Sequence, residues 1–215
     1  MALNENALTT VATIKSVGYL NLLVDTYDSW IERQINIFSQ RIENYLKRKL
    51  YTRTITDERY AGSNRSKLYL NNYPITSITS VKQDDETISS SDYELESSDY
   101  SAYLYNEYLW KAHGAVRGIS NALVDKYEDI EVTYITGYVL PPTATGITLP
   151  PDIEEACIQS IIYQYGLIGT NNKVTKSEKL QSWGITYADD IFDKSSGLLS
   201  SVKSMLDPYK LVNGL

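Results

Sequence analysis

The hydrophobic period of this chain changes after Leu50 from helical to strand-like, which calls for a fold that holds both kinds of element. Through VDTYDSWIERQINIFSQRIENYLKRKL, residues 24–50, Ile31, Ile35, Phe38, Ile42, Tyr45 and Leu46 keep the three- and four-residue spacing of one helical stripe. Asp25 and Asp28 stand at its start and Lys47, Arg48 and Lys49 at its end, as the helix dipole favours. From residue 51 to 138 the pattern gives way to short runs rich in Thr, Tyr and β-branched residues: YTRTITDERY, KLYL, ITSV, YELES, SAYLYNEYLW and DIEVTYITGY. Such runs predict antiparallel strands and hairpins, while AVRGISNALVDKYED between them is ambiguous. The helical period returns in PPDIEEACIQSIIYQYGLIG, with proline at its opening and Asp152, Glu154 and Glu155 in its first turn. It returns again in GLLSSVKSMLDPYK.

A shorter helix is expected in TTVATIKSVG, with Thr9 or Thr10 as N-cap and Gly18 as its stop. The fold class that follows is α+β with a mainly α-helical core. Residues 1–50 and 150–215 form the helical body, built on helix 24–50, helix 151–168 and a C-terminal helix. Residues 51–149 form an antiparallel β-hairpin excursion, and the whole is expected to be one structural unit.

Residues 73–81, YPITSITSV, fit neither ordinary period: Ile75, Ile78 and Val81 recur every third position. Pro74 cannot donate a ladder hydrogen bond, so a strand should begin just after it. The spacing then places Ile78 and Val81 on opposite sides of a strand covered on both.

Little in the chain suits covalent chemistry. One cysteine, Cys157, precludes an internal disulfide, and one histidine, His113, removes most metal and triad arrangements. AGSNRSK lacks the spacing of a phosphate-binding loop, and the adjacent pairs Asp84/Asp85 and Glu154/Glu155 read as a turn and a helix start. No enzymatic activity, cofactor or metal is expected. A net charge of −7 argues against a protein that grips nucleic acid by its phosphates. No apolar run approaches the roughly 20 residues of a membrane span, and MALNENALTT has no secretory pattern, so neither membrane nor export is expected.

The charge pattern is more informative. Between Lys82 and Lys111 there is no basic residue, while Asp84, Asp85, Glu86, Asp92, Glu94, Glu96, Asp99 and Glu107 accumulate among five tyrosines. Residues 47–67 carry the opposite bias, Arg53 and Arg59 among them. These are either two solvated hairpins or complementary patches of a heterologous contact between copies, in which Arg53 and Arg59 would meet Glu94 and Glu96. Trp30 and Ile37 form a second, thin apolar line on the long helix, which either widens the core stripe or meets another subunit.

The order of these elements resembles a known family. TIKSVGYL, a long helix ending IENYLKRKL, TDERYAGSNRSKLYLNNYPITSITSV, SSSDYELES, DIEVTYITGY, LPPDIEEACIQSIIYQYGLIG and SEKLQSWGITYAD follow one another as in head-to-tail connector (adaptor) proteins of tailed bacteriophages. The resemblance implies a structural virion protein in the neck, between capsid and tail, forming a dodecamer-like ring of about a dozen copies below the portal protein. That ring would extend the DNA channel, pass DNA without specific binding, and dock the next neck or tail completion protein. Carried onto this chain, the portal-facing candidates are Leu198, Val202, Met205, Leu206 and Tyr209, and the channel-lining candidates are Glu32 and Glu43. The alternative reading is a carbohydrate- or receptor-binding module that uses the tyrosine-rich segment 93–108.

Overall fold

Thr10 starts the first helix: its side-chain oxygen accepts the Thr13 N–H at 3.0 Å, satisfying one donor that the first turn leaves unpaired. In the computed structural model, residues 2–16, 27–99, 101–110, 130–143, 145–146, 148–168, 177–180, 183–186 and 195–211 are described. Gly18, His113, the segment AVRGISNALVDKYED and the residues after Leu211 lie outside them. The helices are α1 (Val11–Ser16), α2 (Asp28–Leu46), α3 (Pro151–Ile168) and α4 (Ser200–Leu206). The strands are β1 (Arg53–Tyr60), β2 (Arg65–Tyr69), β3 (Ile75–Gln83), β4 (Glu86–Thr87), β5 (Glu94–Ser97), β6 (Ala102–Trp110), β7 (Ile130–Thr136), β8 (Ser177–Leu180) and β9 (Trp183–Thr186).

The chain forms two compact units, one from Met1–Leu50 with Val139–Leu211 and one from Tyr51–Tyr138. In the first, α2 buries Ile31, Ile35, Phe38, Ile42 and Leu46, the stripe that its spacing announces. Helix α3 packs against both α2 and α4, burying Ile153, Ala156, Cys157 and Ile161. Ser39 on α2 and Ala156 and Ser160 on α3, all small, are also fully buried. Helix α2 ends at Leu46, four residues short of the expectation. Lys47 turns left-handed (φ 58°), and the Arg48 N–H closes back on the Glu43 carbonyl at 3.3 Å. Lys47, Arg48 and Lys49 therefore lie beyond the helix rather than in its last turn.

The second unit overturns the expectation of a mainly helical core with a hairpin excursion. About 37% of the structure is helix and 30% strand, and the middle of the chain builds two antiparallel sheets. One is four-stranded, in the order β1-β7-β3-β4, and the other three-stranded, in the order β2-β6-β5. They share a core of their own in which Trp110, Leu104, Val81, Val132 and Tyr134 are fully buried. The Ile75 N–H donates to Ser97 Oγ at 2.7 Å and ties one sheet to the other. Short runs suggested hairpins because their partners are remote: β7 pairs with β1 and β3, more than 40 residues back in sequence. The remaining strands, β8 and β9, form a separate hairpin.

The register of β3 explains the period of three. Ile75, Ile78 and Val81 stand opposite Thr136, Tyr134 and Val132, so three positions spaced by three on β3 match three spaced by two on β7. Register shifts between Ile75 and Ser77 and between Ile78 and Ser80 each leave one extra residue, Thr76 and Thr79, in β3. All three apolar side chains thus face one side, into the same core, and the expectation that Ile78 and Val81 point to opposite faces is corrected. Strand β7 alternates buried and half-buried residues throughout and serves as the straight template for bulged neighbours on both sides. Beyond β3 the chain reverses through Asp84 and Asp85, both at positive φ, the conformation that a two-residue hairpin demands.

Candidate functional site

Period-two alternation sorts the three-stranded sheet into two faces. Inward, Leu68, Leu104 and Leu95 stand in one cross-strand row and pack on the core. Outward, two further rows read Lys67, Tyr105, Glu94 and Tyr69, Tyr103, Glu96 across β2, β6 and β5. The Tyr69 and Tyr103 rings lie 5.5 Å apart at 56°, and Lys67 Nζ sits 4.3 Å from the Tyr103 ring centroid. Tyr69 is 47% and Tyr105 37% exposed, which makes them, with Tyr27, the large apolar side chains most open to solvent among the described residues. The face sets aromatic bodies with polar tips between a basic and an acidic row end.

The expected interface residues divide here. Glu94 and Glu96 stand exposed on this face. Arg53 and Arg59 are not on it: both belong to β1 of the other sheet and have partners within the chain. Arg53 Nη2 donates to Asn72 Oδ1 at 2.7 Å, and Arg59 pairs with Glu131 across the strands at 3.0 Å. Lys67, Tyr69, Tyr103 and Tyr105 complete the face: Lys67 lies in the basic segment 47–67 and Tyr103 and Tyr105 in the tyrosine-rich segment 93–108, and only Tyr69 stood outside both readings. The alternation of 65, 67 and 69 against 94 and 96 is the signal that could have joined them.

A polar network braces the four-stranded sheet. The Glu58 carboxylate accepts hydrogen bonds from the Tyr60 and Tyr134 hydroxyls and from Asn71 Nδ2 at 3.1 Å, while Asn72 Nδ2 donates to the Tyr134 oxygen at 2.9 Å. Burial, followed by the hydrogen bond to Glu58, pushes the Tyr134 phenol up to about 12, and the same two causes raise Tyr60 further. The network joins β1, the 71–72 turn and β7.

In the first unit, Trp30 and Tyr27 both meet Tyr165 of α3 edge-on, at 5.9 and 5.8 Å between ring centroids. Trp30 thus widens the contact between α2 and α3 and, like Ile37, is half-buried. Glu32 is half-buried on the same helix. The side chain of Glu43, the other channel-lining candidate, is 1% exposed. It accepts from the Leu50 N–H at 3.0 Å, Asn6 Nδ2 at 3.0 Å and Lys49 Nζ at 2.8 Å. The portal-facing candidates lie in the same unit. Leu198, Val202 and Leu206 are fully buried in the unit's own core, and Tyr209 is buried with its hydroxyl 3.3 Å from Asp152. Only Met205 of the five is half-exposed. The Leu211 N–H donates to the Leu46 carbonyl at 3.0 Å, which fastens the segment after α4 to the end of α2.

Cys157 is buried between α2 and α3, and burial raises its thiol to about 12. It is a packing residue. Among the described residues no three His, Cys, Asp or Glu side chains gather as a metal site, and no helix is long and apolar enough to cross a membrane.

Among curated proteins no sequence matches this chain significantly. Solved structures similar to it include a chain from the virion of a native gene transfer agent particle, with 13% identity and a TM-score of 0.48, covering 100% of this chain and 95% of that one. A chain in the neck of an empty gene transfer agent particle, computed with C6 symmetry, has 15% identity and a TM-score of 0.49, covering 100% and 98%. Another, in the neck of the native particle computed with C12 symmetry, has 16% identity and a TM-score of 0.43 with the same coverage. The sequence pattern of head completion proteins matches residues 7–176, from the segment before α1 through both sheets and α3 to the threshold of β8, and the chain belongs to the head completion protein family.

Proposed function

We propose that this chain is a structural neck protein of a tailed virus-like particle, which completes the filled head by forming a closed ring of identical copies below the portal. The observation that carries this reading is membership of the head completion family over residues 7–176. The surface chemistry agrees with it. A net charge of −7 supplies few of the cationic contacts that would hold passing DNA, because affinity for DNA grows with each phosphate neutralised. The exposed tyrosine face of the three-stranded sheet offers the amphipathic aromatic area common at protein contacts.

The ring extends the channel and presents a docking surface to the next neck or tail component. It acts by shape and by fit between copies. Electron microscopy of the purified protein, alone and mixed with portal, tests this: closed rings, or rings seated on portal, are expected, and a protein that stays monomeric in both samples would overturn the reading. A second reading, a carbohydrate- or receptor-binding module, draws on Tyr69, Tyr103 and Tyr105. Strong glycan-array binding that is lost in Tyr103→Ala would favour it.

A further inference from the structure

Among the described residues, the three-stranded sheet ends in β2 on one side and β5 on the other, and the two edges carry opposite charge. β2 presents Lys67 on its outer face, with Arg65 exposed at its start beyond a register shift; β5 presents Glu94 and Glu96 on the face of Lys67. All four are exposed. On the four-stranded sheet, by contrast, Arg59 and Lys82 both pair with Glu131, at 3.0 and 3.6 Å. Arg65 and Glu94 have no ion-pair partner among the described residues, while Lys67 rests on the Tyr103 ring with Glu96 of its own chain within electrostatic reach.

Charged edge strands ordinarily keep sheets from pairing with one another. Here the signs do so selectively. Two β2 edges repel, two β5 edges repel, and only β2 against β5 is allowed. That contact joins different patches of two copies, so it repeats head to tail and closes when the rotation suits. The geometry fits: both edges run antiparallel to β6 and hence parallel to each other, and they are five and four residues long. Arg65 and Lys67 are two residues apart, as are Glu94 and Glu96, so one register sets both pairs level.

We propose that β5 of one copy adds beside β2 of the next, continuing the three-stranded sheet from subunit to subunit, with Arg65 and Lys67 facing Glu94 and Glu96. The occupant of each edge is a second copy of this chain. The contact rests on the ring reading given above and narrows the basic patch 47–67 to the two residues that share a sheet with the acidic pair. Exposed pairs of this kind fix partner choice and register more than tightness, and the backbone ladder supplies the remainder.

A charge-swap mixture tests it. Arg65→Glu with Lys67→Glu makes both edges acidic; Glu94→Lys with Glu96→Lys, in a second chain, makes both basic. Each variant alone is expected to sediment as a monomer at concentrations where wild type assembles. Mixed, they are expected to assemble with the two chains at equal stoichiometry by native mass spectrometry, which also shows that both are folded. Either variant assembling alone as wild type does would overturn the edge contact while leaving the ring intact. A mixture that stays monomeric would do the same, whereas a wild type that shows no self-association, alone or with portal, would overturn both the contact and the ring. A mixture that assembles only into open chains in micrographs would support the contact and overturn the ring.

Discussion

Glu43 shows how a charged side chain with the position of a surface residue becomes structural. Helical spacing places it beside the buried stripe of α2, on the side that reads as polar. The left-handed Lys47 then turns the chain back, so that Leu50 and Lys49 cover it. No periodicity reveals that return, because it depends on one backbone dihedral beyond the helix. Glu43→Ala would leave the buried Leu50 N–H and the Asn6 amide without their acceptor, and a loss of about 3 kcal/mol is expected in urea unfolding.

The tyrosine pair makes a different statement. Tyr134→Phe removes a hydroxyl that donates to Glu58 and accepts from Asn72, and a loss of about 1–3 kcal/mol is expected. The pH dependence follows from the direction of the shifts. An unfolded tyrosine releases its proton near 10.0, whereas the buried phenol of Tyr134 keeps it to about 12. Between those values the unfolded chain binds fewer protons than the folded one, so stability falls as pH rises from about 10 and is unaffected by this group below it. Urea midpoints measured from pH 8 to 12 should drop steeply for wild type and less steeply for Tyr134→Phe. Tyr60 and Cys157, both also raised, supply the remaining slope.

Among the elements, the helices were legible because their signal is local: the stripe of α2, the proline and acidic opening of α3 and the Thr10 cap each lie within a few residues of what they determine. Strand β7 was legible too, by its alternation. The architecture around it was not, since bulges in β1 and β3 break the very period by which a strand is recognised, and the partners are remote. The tyrosine face of the three-stranded sheet suffered in the same way. Its acidic edge, Glu94 and Glu96, was readable from composition, whereas assigning β2 as the opposite edge needed the register. The period of three in β3 also yields an expectation about the strand itself. Deleting Thr76 and Thr79 together leaves Ile, Ser, Ile, Ser, Val, a plain alternation that still sets Ile75, Ile78 and Val81 against Thr136, Tyr134 and Val132. That variant should remain folded, with near-wild-type far-UV circular dichroism. Deleting Thr133, from the middle of β7 where alternation is unbroken, should instead turn half of that strand to the wrong face and cost most of the stability; equal loss in the two variants would refute the bulge account.

The second unit leaves and re-enters the chain at one place. Tyr51 and Tyr138 are bridged, and Thr52 Oγ1 donates to the Tyr138 carbonyl at 2.8 Å, so its two ends are neighbours. A segment with adjoining ends and a core of its own has the anatomy of an inserted domain, which tolerates excision because the host chain has only a short gap to close. Residues 51–138 expressed alone should therefore unfold in one cooperative transition, with a stability of about 5–10 kcal/mol. Joining Leu50 to Val139 through a short Gly-Ser link should likewise leave the first unit folded, its α2 stripe still packed on α3 and its single Cys157 still protected from thiol reagents. The two fragments differ in what they can assemble. The charged edges of β2 and β5 lie in the excised unit, so the linked first unit should sediment as a monomer where the full chain assembles, while residues 51–138 should retain self-association that weakens as salt is raised. A linked first unit that still forms rings would place the subunit contact on the helices instead and remove the sheet edges from the assembly.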